Sequence, residues 1–272
     1  MDWKLHNRIE KTYRRSMDAL LKQIITAIGY ETDPLKISRK LKIISQQPQF
    51  HQAAFNMALA MTAKVNKEGS KSWREIARKA GRGNDVYAGI MESLEINSET
   101  FFTLIRENAD LITNILPETA DWITNKVQEE SLKGRRASDI AEEIYLKYPD
   151  IAHSKAQLIA RTEVSKTQTA LVQSKCETLG LDWYIWRTSQ DARVRKSHSH
   201  MEGVLVKWSN PPNPEKLAGV KATSGPYHAG CFPNCRCYPE PVVAVELVSF
   251  PCKVYHNGSI RQMTNEQFLK IA

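Results

Sequence analysis

The sequence predicts an α+β protein. A predominantly helical N-terminal region precedes a small mixed α+β module with a long Pro/Gly-rich loop and a C-terminal hairpin. Three observations predict this. Apolar residues recur at three-to-four spacing from Ile9 onward, and no strand pattern precedes residue 181. The β-formers Trp183, Tyr184, Ile185 and Trp186 then appear, followed by the run Val204-Leu-Val-Lys-Trp208. Finally, Pro211, Pro212, Pro214, Gly219, Gly225, Pro226 and Gly230 crowd residues 209–230, and Asn257-Gly258 is a two-residue hairpin signal.

Ile9, Tyr13, Met17, Leu20, Leu21, Ile24, Ile25 and Ile28 form the stripe of a first helix, which Gly29 stops. Asp33-Pro34 starts a second: a capping side chain, then a proline with preset φ and no amide to leave unpaired. It runs to about Gln47. A third is expected from Phe50 to Val65, and Ser72-Trp-Arg-Glu75 is a capping box for a short fourth, broken by Gly81-Arg-Gly-Asn84. Residues 85–95 suit another helix. Asn97-Ser-Glu-Thr100 opens one carrying Phe101, Leu104, Ile105 and Ile112. Pro117 closes that pattern or begins the next, which runs to Leu132, and Gly134 breaks the chain again. A short helix from Ser138 is expected to end before Pro149, and a long one to run from Ala152 to Leu179. Val242–Val248 is a third strand candidate, and Thr264-Asn-Glu-Gln267 opens a short final helix. These readings give a helical region over 1–150, a module over 151–248, and a hairpin and short helix over 249–272.

The bulk numbers narrow the class. The chain has 272 residues, 42% hydrophobic and 25% charged, which suits a soluble globular protein with a core. No run reaches the roughly 18 apolar residues of a transmembrane helix, so no membrane partner is expected. Met1-Asp-Trp-Lys-Leu-His-Asn-Arg8 lacks the apolar core of a signal peptide, so synthesis in a reducing cytoplasm is expected. The net charge is +8, and residues 1–69 hold twelve Lys/Arg against six Asp/Glu. Such a basic region suits nucleic acid or an acidic protein surface, and equally a solvated helix face.

Five cysteines, an odd number, argue against a disulfide framework in a non-secreted chain. Cys231, Cys235 and Cys237 fall close together, with His228 just before them and His198 upstream. Zinc takes four soft or borderline ligands. His198, His228, Cys235 and Cys237 make one such set, with Cys231 as a substitute. A metal would fix a loop that has little apolar surface to bury. A packed turn with free thiols is the competing reading, and a disulfide or redox pair a third. Cys176 and Cys252 read as single apolar-face cysteines.

Asp191-Ala-Arg-Val-Arg-Lys-Ser-His198 reads as a polar turn with Asp191 capping. With Arg161, Glu163, Arg193 and Arg236 it forms a candidate structural network, in which a buried ion pair from Arg161 or Glu163 locks helix to sheet. The alternative is an active site of Glu163, Asp191 and His198, with His198 as general base. No Gly-x-Ser-x-Gly, phosphate-cradling Gly loop or His-Glu-x-x-His accompanies it. Trp183, Trp186 and Trp208 read as core rather than as a base-stacking platform.

On these residues, the stretch 154–241 resembles the phage Mu F-like head morphogenesis family. The resemblance rests on Ile159-Ala-Arg-Thr-Glu163 and on Trp186-x-x-Ser-x-Asp191-x-Arg193. It continues through His198, Gly203 and His228-x-Gly-x-x-x-Asn-Cys-Arg-Cys237, ahead of Pro239 and Pro241. It implies a non-catalytic minor capsid protein of the virion, bound to the portal protein at the vertex inside the head. It implies roles in head assembly, DNA packaging or ejection, with capsid or scaffold proteins and packaged double-stranded DNA as further partners. The runner-up is an enzyme or toxin-like effector on the same module. Many family members show Cys-x-x-Cys where this chain has Arg195-Lys-Ser-His198, so only His198 can replace one of those cysteines here.

Overall fold

A computed structural model describes residues 7–80, 85–92 and 98–272. The expected break at Gly81-Arg-Gly-Asn84 and the expected cap at Asn97 lie outside the described residues. The fold is α+β, and no described helix is long and apolar enough to cross a membrane. Contacts divide the chain into two compact units, Asn7–Thr62 with Phe102–Arg161, and Ala63–Phe101 with Thr162–Ala272.

The first unit is helical. It takes α1 (Asn7–Ile28), α2 (Pro34–Ser45), the start of α3 (Pro48–Ala80), most of α5 (Ser98–Thr113), α6 (Ile115–Leu132) and the start of α7 (Ala137–Thr178). The remaining early helix, α4 (Asp85–Glu92), belongs to the second unit. Ile9, Tyr13, Met17, Leu21, Ile24 and Ile28 of α1 are all buried, as their spacing requires. Asp33 caps α2 by accepting from the Leu35 amide at 2.9 Å. Ser38 of α2 is buried against α6 and donates to the Ala120 carbonyl at 3.0 Å.

The turn from α6 to α7 is tied by charge. Glu130, only 5% exposed, takes Lys126 at 2.8 Å, Arg135 at 2.8 Å and Lys133 at 3.1 Å. Glu143 takes Lys147 at 2.8 Å and Arg135 at 2.5 Å. Hydrogen bonds from Lys126, then Arg135, hold the Glu130 carboxyl down to about 2, and Lys147, then Arg135, hold Glu143 at about 2. Both values are depressed, so their contribution is present above the ordinary 4.5 and is lost as pH falls from there toward 2. An acid titration followed by amide NMR should show the α6–α7 turn loosening across that window. A Glu130→Gln variant should already be loosened at neutral pH and should lose most of the acid step. A turn unchanged down to pH 2 would mean that these pairs contribute nothing.

The second unit carries a five-stranded sheet. Its strands are β1 (Trp183–Arg187), β2 (Leu205–Lys207), β3 (Tyr238–Pro241), β4 (Cys252–His256) and β5 (Ser259–Met263), in the order β3-β1-β2-β4-β5. Pairing is antiparallel except between β2 and β4. Period-two alternation splits β1 between two cores. Tyr184 and Trp186 join Val204, Val206, Trp208 and Cys237 under Trp73, Ile76, Val172 and Cys176 of the long helices. Trp183 faces the other side with Leu205, Val254, Met263 and Phe268. All three tryptophans of the cluster are core residues. Asn257 and Gly258 take positive φ and close the β4–β5 hairpin, as their sequence requires.

Three elements differ from expectation. α3 runs unbroken to Ala80, because residues 66–71 hold helix-compatible pairs: Ser70 donates back to the Asn66 carbonyl at 3.0 Å, and Lys71 pairs with Glu68 at 2.9 Å. α7 passes through Pro149, where the buried Tyr148 beside it anchors the helix despite the lost amide. The third strand is Tyr238-Pro-Glu-Pro241 rather than Val242–Val248, of which Val245–Leu247 form a 3₁₀ turn. β3 sits at the sheet edge, the one place where prolines withhold no ladder bond the sheet needs.

Candidate metal centre

The site is built where α7, α8 (Lys196–His200), α9 (Pro214–Leu217) and the Cys loop meet within the second unit. Three side chains of α7 hold the loop by its backbone. The Asn234 amide donates to Thr162 Oγ1 at 3.1 Å, Ser165 Oγ donates to the Cys235 carbonyl at 2.8 Å, and Thr169 Oγ1 donates to the Ala229 carbonyl at 2.7 Å. Spacings of three and four put these hydroxyls on one helix face. From the other side, the Arg195 guanidinium stacks 4.8 Å over Phe232 and donates to the Pro233 carbonyl at 3.0 Å. Arg195 therefore pins the loop from the side opposite α7.

Clamped this way, the loop delivers Cys235 and Cys237 to His198. The His198 Nδ1 lies 3.4 Å from Cys235 Sγ and 3.5 Å from Cys237 Sγ, and all three side chains are buried. The Cys237 amide donates to Cys235 Sγ at 3.3 Å. The hydrogen bond between the two cysteines holds the Cys235 thiol below the ordinary thiol range and pushes Cys237 up. Burial, the largest cause in each case, pushes Cys231 up to about 11 and Cys176 up to about 12.

This donor set fits a thiophilic metal. With zinc–sulfur near 2.3 Å and zinc–nitrogen near 2.0–2.1 Å, a tetrahedron places sulfur and nitrogen about 3.6 Å apart. The separations in this chain are 3.4 and 3.5 Å. Among the described residues, no fourth His, Cys, Asp or Glu joins the cluster. His228 stands apart: its Nδ1 is hydrogen-bonded with Tyr184 Oη at 3.2 Å, its ring packs 5.1 Å from Trp208, and burial pulls it down to about 4.

The remaining candidates fall in two places. Asp191 joins Arg236 at 3.1 Å and Arg193 at 3.4 Å, and accepts from the Arg193 amide at 2.9 Å. Arg161 pairs with Glu10 at 3.4 Å, and Glu163 with Lys166 at 3.1 Å. Among the described residues neither pairs with Asp191, Arg193 or Arg236.

The site has members that the spacing of the sequence did not pick out. Tyr227 Oη lies 2.9 Å from His198 Nε2 and donates to Glu215 at 2.7 Å. Both sit in the Pro/Gly-rich loop, whose length alone marked it. Thr162, Ser165 and Thr169 carried a readable signal, small hydroxyls at helical spacing just before the motif.

Residues 121–239 match the model of the family described as phage Mu protein F like protein. This stretch is similar to phage Mu F-like proteins. The match contains every residue of the metal centre and of the α7 clamp. An uncharacterized protein of Haemophilus influenzae is 31% identical over 161 residues, covering 59% of this chain and 33% of that protein. The chain thus spans about a third of the length of that relative. No solved structure matches it.

Proposed function

We propose that this protein is a minor head protein of a phage or prophage, associated with the portal vertex and acting without catalysis in head assembly, DNA packaging or ejection. The observation that carries this reading is the Mu F-like match over residues 121–239. The site geometry supports a structural part. His198 is 2% exposed and enclosed by Cys235, Cys237 and Tyr227, while Asp191 is engaged by arginines and Glu163 by Lys166. The three side chains that an enzyme would bring together are each committed elsewhere.

In this reading, His198, Cys235 and Cys237 hold zinc, which cross-links α8 to the Cys loop and stiffens the module. The basic surface of residues 1–69 lies near packaged double-stranded DNA, where phosphate contacts are sequence-independent and salt-sensitive. The portal is the expected protein partner, the virion is the final location and the host cytoplasm is the place of assembly. Co-expression with the portal protein of the same phage should give a co-purifying complex, and mass spectrometry of purified particles should find the chain. A chain that neither binds that portal nor enters particles ends the proposal.

A further inference from the structure

We propose that Glu215 and Tyr227 are positioning residues for the metal centre: a Glu215–Tyr227–His198 relay fixes the imidazole tautomer that turns a lone pair toward Cys235 and Cys237. The inference rests on the zinc reading above and adds to it the residues that make His198 a ligand.

The argument is one of counting protons. Glu215 is 6% exposed and, as a carboxylate, can only accept. Tyr227 has one proton to give, and its Oη lies 2.7 and 2.9 Å from the two Glu215 oxygens. That proton goes to Glu215. The Tyr227 oxygen is left to accept, and its neighbour at 2.9 Å is His198 Nε2. Nε2 therefore carries the ring proton. A neutral imidazole protonated there has its lone pair on Nδ1, the atom facing both sulfurs at 3.4 and 3.5 Å.

The relay is itself held in place. Ser197 Oγ, next to His198 in the chain, lies 3.4 Å from Glu215 Oε1. Asn213 caps α9 by accepting from the Lys216 amide at 3.0 Å, which sets Glu215 in the first turn. The Tyr227 amide donates to the Pro212 carbonyl at 2.9 Å, and Asn213 Nδ2 donates to the Ser224 carbonyl at 2.9 Å, so both ends of the loop are joined. A packed turn that needed only to bury a histidine would not require a buried carboxylate behind a tyrosine. A metal-bound histidine does, because outer-shell acceptors fix ring orientation and raise ligand basicity.

The test measures metal affinity and tautomer in the full chain. Zinc and cobalt(II) are titrated against a competing chelator into the unaltered protein, Tyr227→Phe and Glu215→Gln, and the His198 ring nitrogens are followed by ¹⁵N NMR. Tyr227→Phe removes the acceptor for Nε2–H. Glu215→Gln keeps the shape but offers an amide donor, which lets Tyr227 turn its proton toward Nε2 and drive the ring proton to Nδ1. Each should weaken binding about 10–100-fold at unchanged one-to-one stoichiometry, and the unaltered protein should show the Nε2–H tautomer. Glu215→Gln keeps the test intact if Tyr227→Phe fails to fold. Variants that bind as tightly as the parent overturn the relay and leave the metal reading standing. A parent that takes up neither metal overturns both.

Discussion

Gly230→Ala should destabilise the second unit by about 3–5 kcal/mol, although it adds one methyl group. The residue sits at φ +89°, where an L side chain costs roughly 1–2 kcal/mol. The new Cβ would lie 2.6 Å from Thr169 Oγ1, 3.0 Å from the Cys237 carbonyl oxygen and 3.3 Å from the Ser165 carbonyl oxygen. Two of these are backbone atoms, one on α7 and one on the Cys loop, and neither can rotate away. Thr169 can, but only by giving up its 2.7 Å bond to Ala229, worth about 1 kcal/mol. Gly225→Ala is the control. It lies in the same loop with nothing within 4 Å of its Cβ, and should be nearly neutral. Trp73, Trp183, Trp186 and Trp208 all lie in the second unit, so tryptophan fluorescence reports mainly on its melting. Melting of the two variants within a degree of each other would show that the loop has room to move off the helix at this point.

Gly230 illustrates what the sequence made legible. Its place between His228 and Cys231 was visible, but the reason only glycine fits there was not. That reason is the approach of α7, a helix about 60 residues earlier in the chain. Local rules succeeded where local chemistry decides: the Asp33-Pro34 start, the helix opened by Thr264, the Asn257-Gly258 hairpin and the β-formers Trp183 to Trp186. They failed where tertiary packing overrides them. Pro149 does not end α7, and a strand of alternating prolines at 239 and 241 is acceptable only because β3 is an edge. The centre divides in the same way. Two cysteines separated by one residue announce themselves, whereas Glu215 lies in a four-residue helix and Tyr227 in a loop, and neither has a period to read. His228 looked like the partner of the Cys pair from spacing alone, yet the turn at Gly230 sends it to Tyr184 and Trp208 instead.

Replacing Cys235 and Cys237 together by serine should remove one equivalent of zinc per chain and lower the melting temperature of the second unit by on the order of 10 °C. A metal present at a hundred to a thousand times its Kd contributes about 2.7–4.1 kcal/mol by mass action. In a protein of this size each kcal/mol shifts melting by about 2–4 °C. Serine also buries a hydroxyl in place of a thiol at two positions, so the double variant alone does not isolate the metal. Chelating the unaltered protein does, because it leaves every side chain in place. Cys252→Ser, on β4 and outside the cluster, should keep its zinc. If chelation and the double variant lower melting together, the loop is held by metal in addition to the hydroxyls of α7. If the unaltered protein carries no metal and chelation changes nothing, the loop is held by Thr162, Ser165, Thr169 and Arg195 alone. His198 is then a packed histidine whose Nδ1 accepts from a neighbouring thiol, and the three-ligand centre is withdrawn.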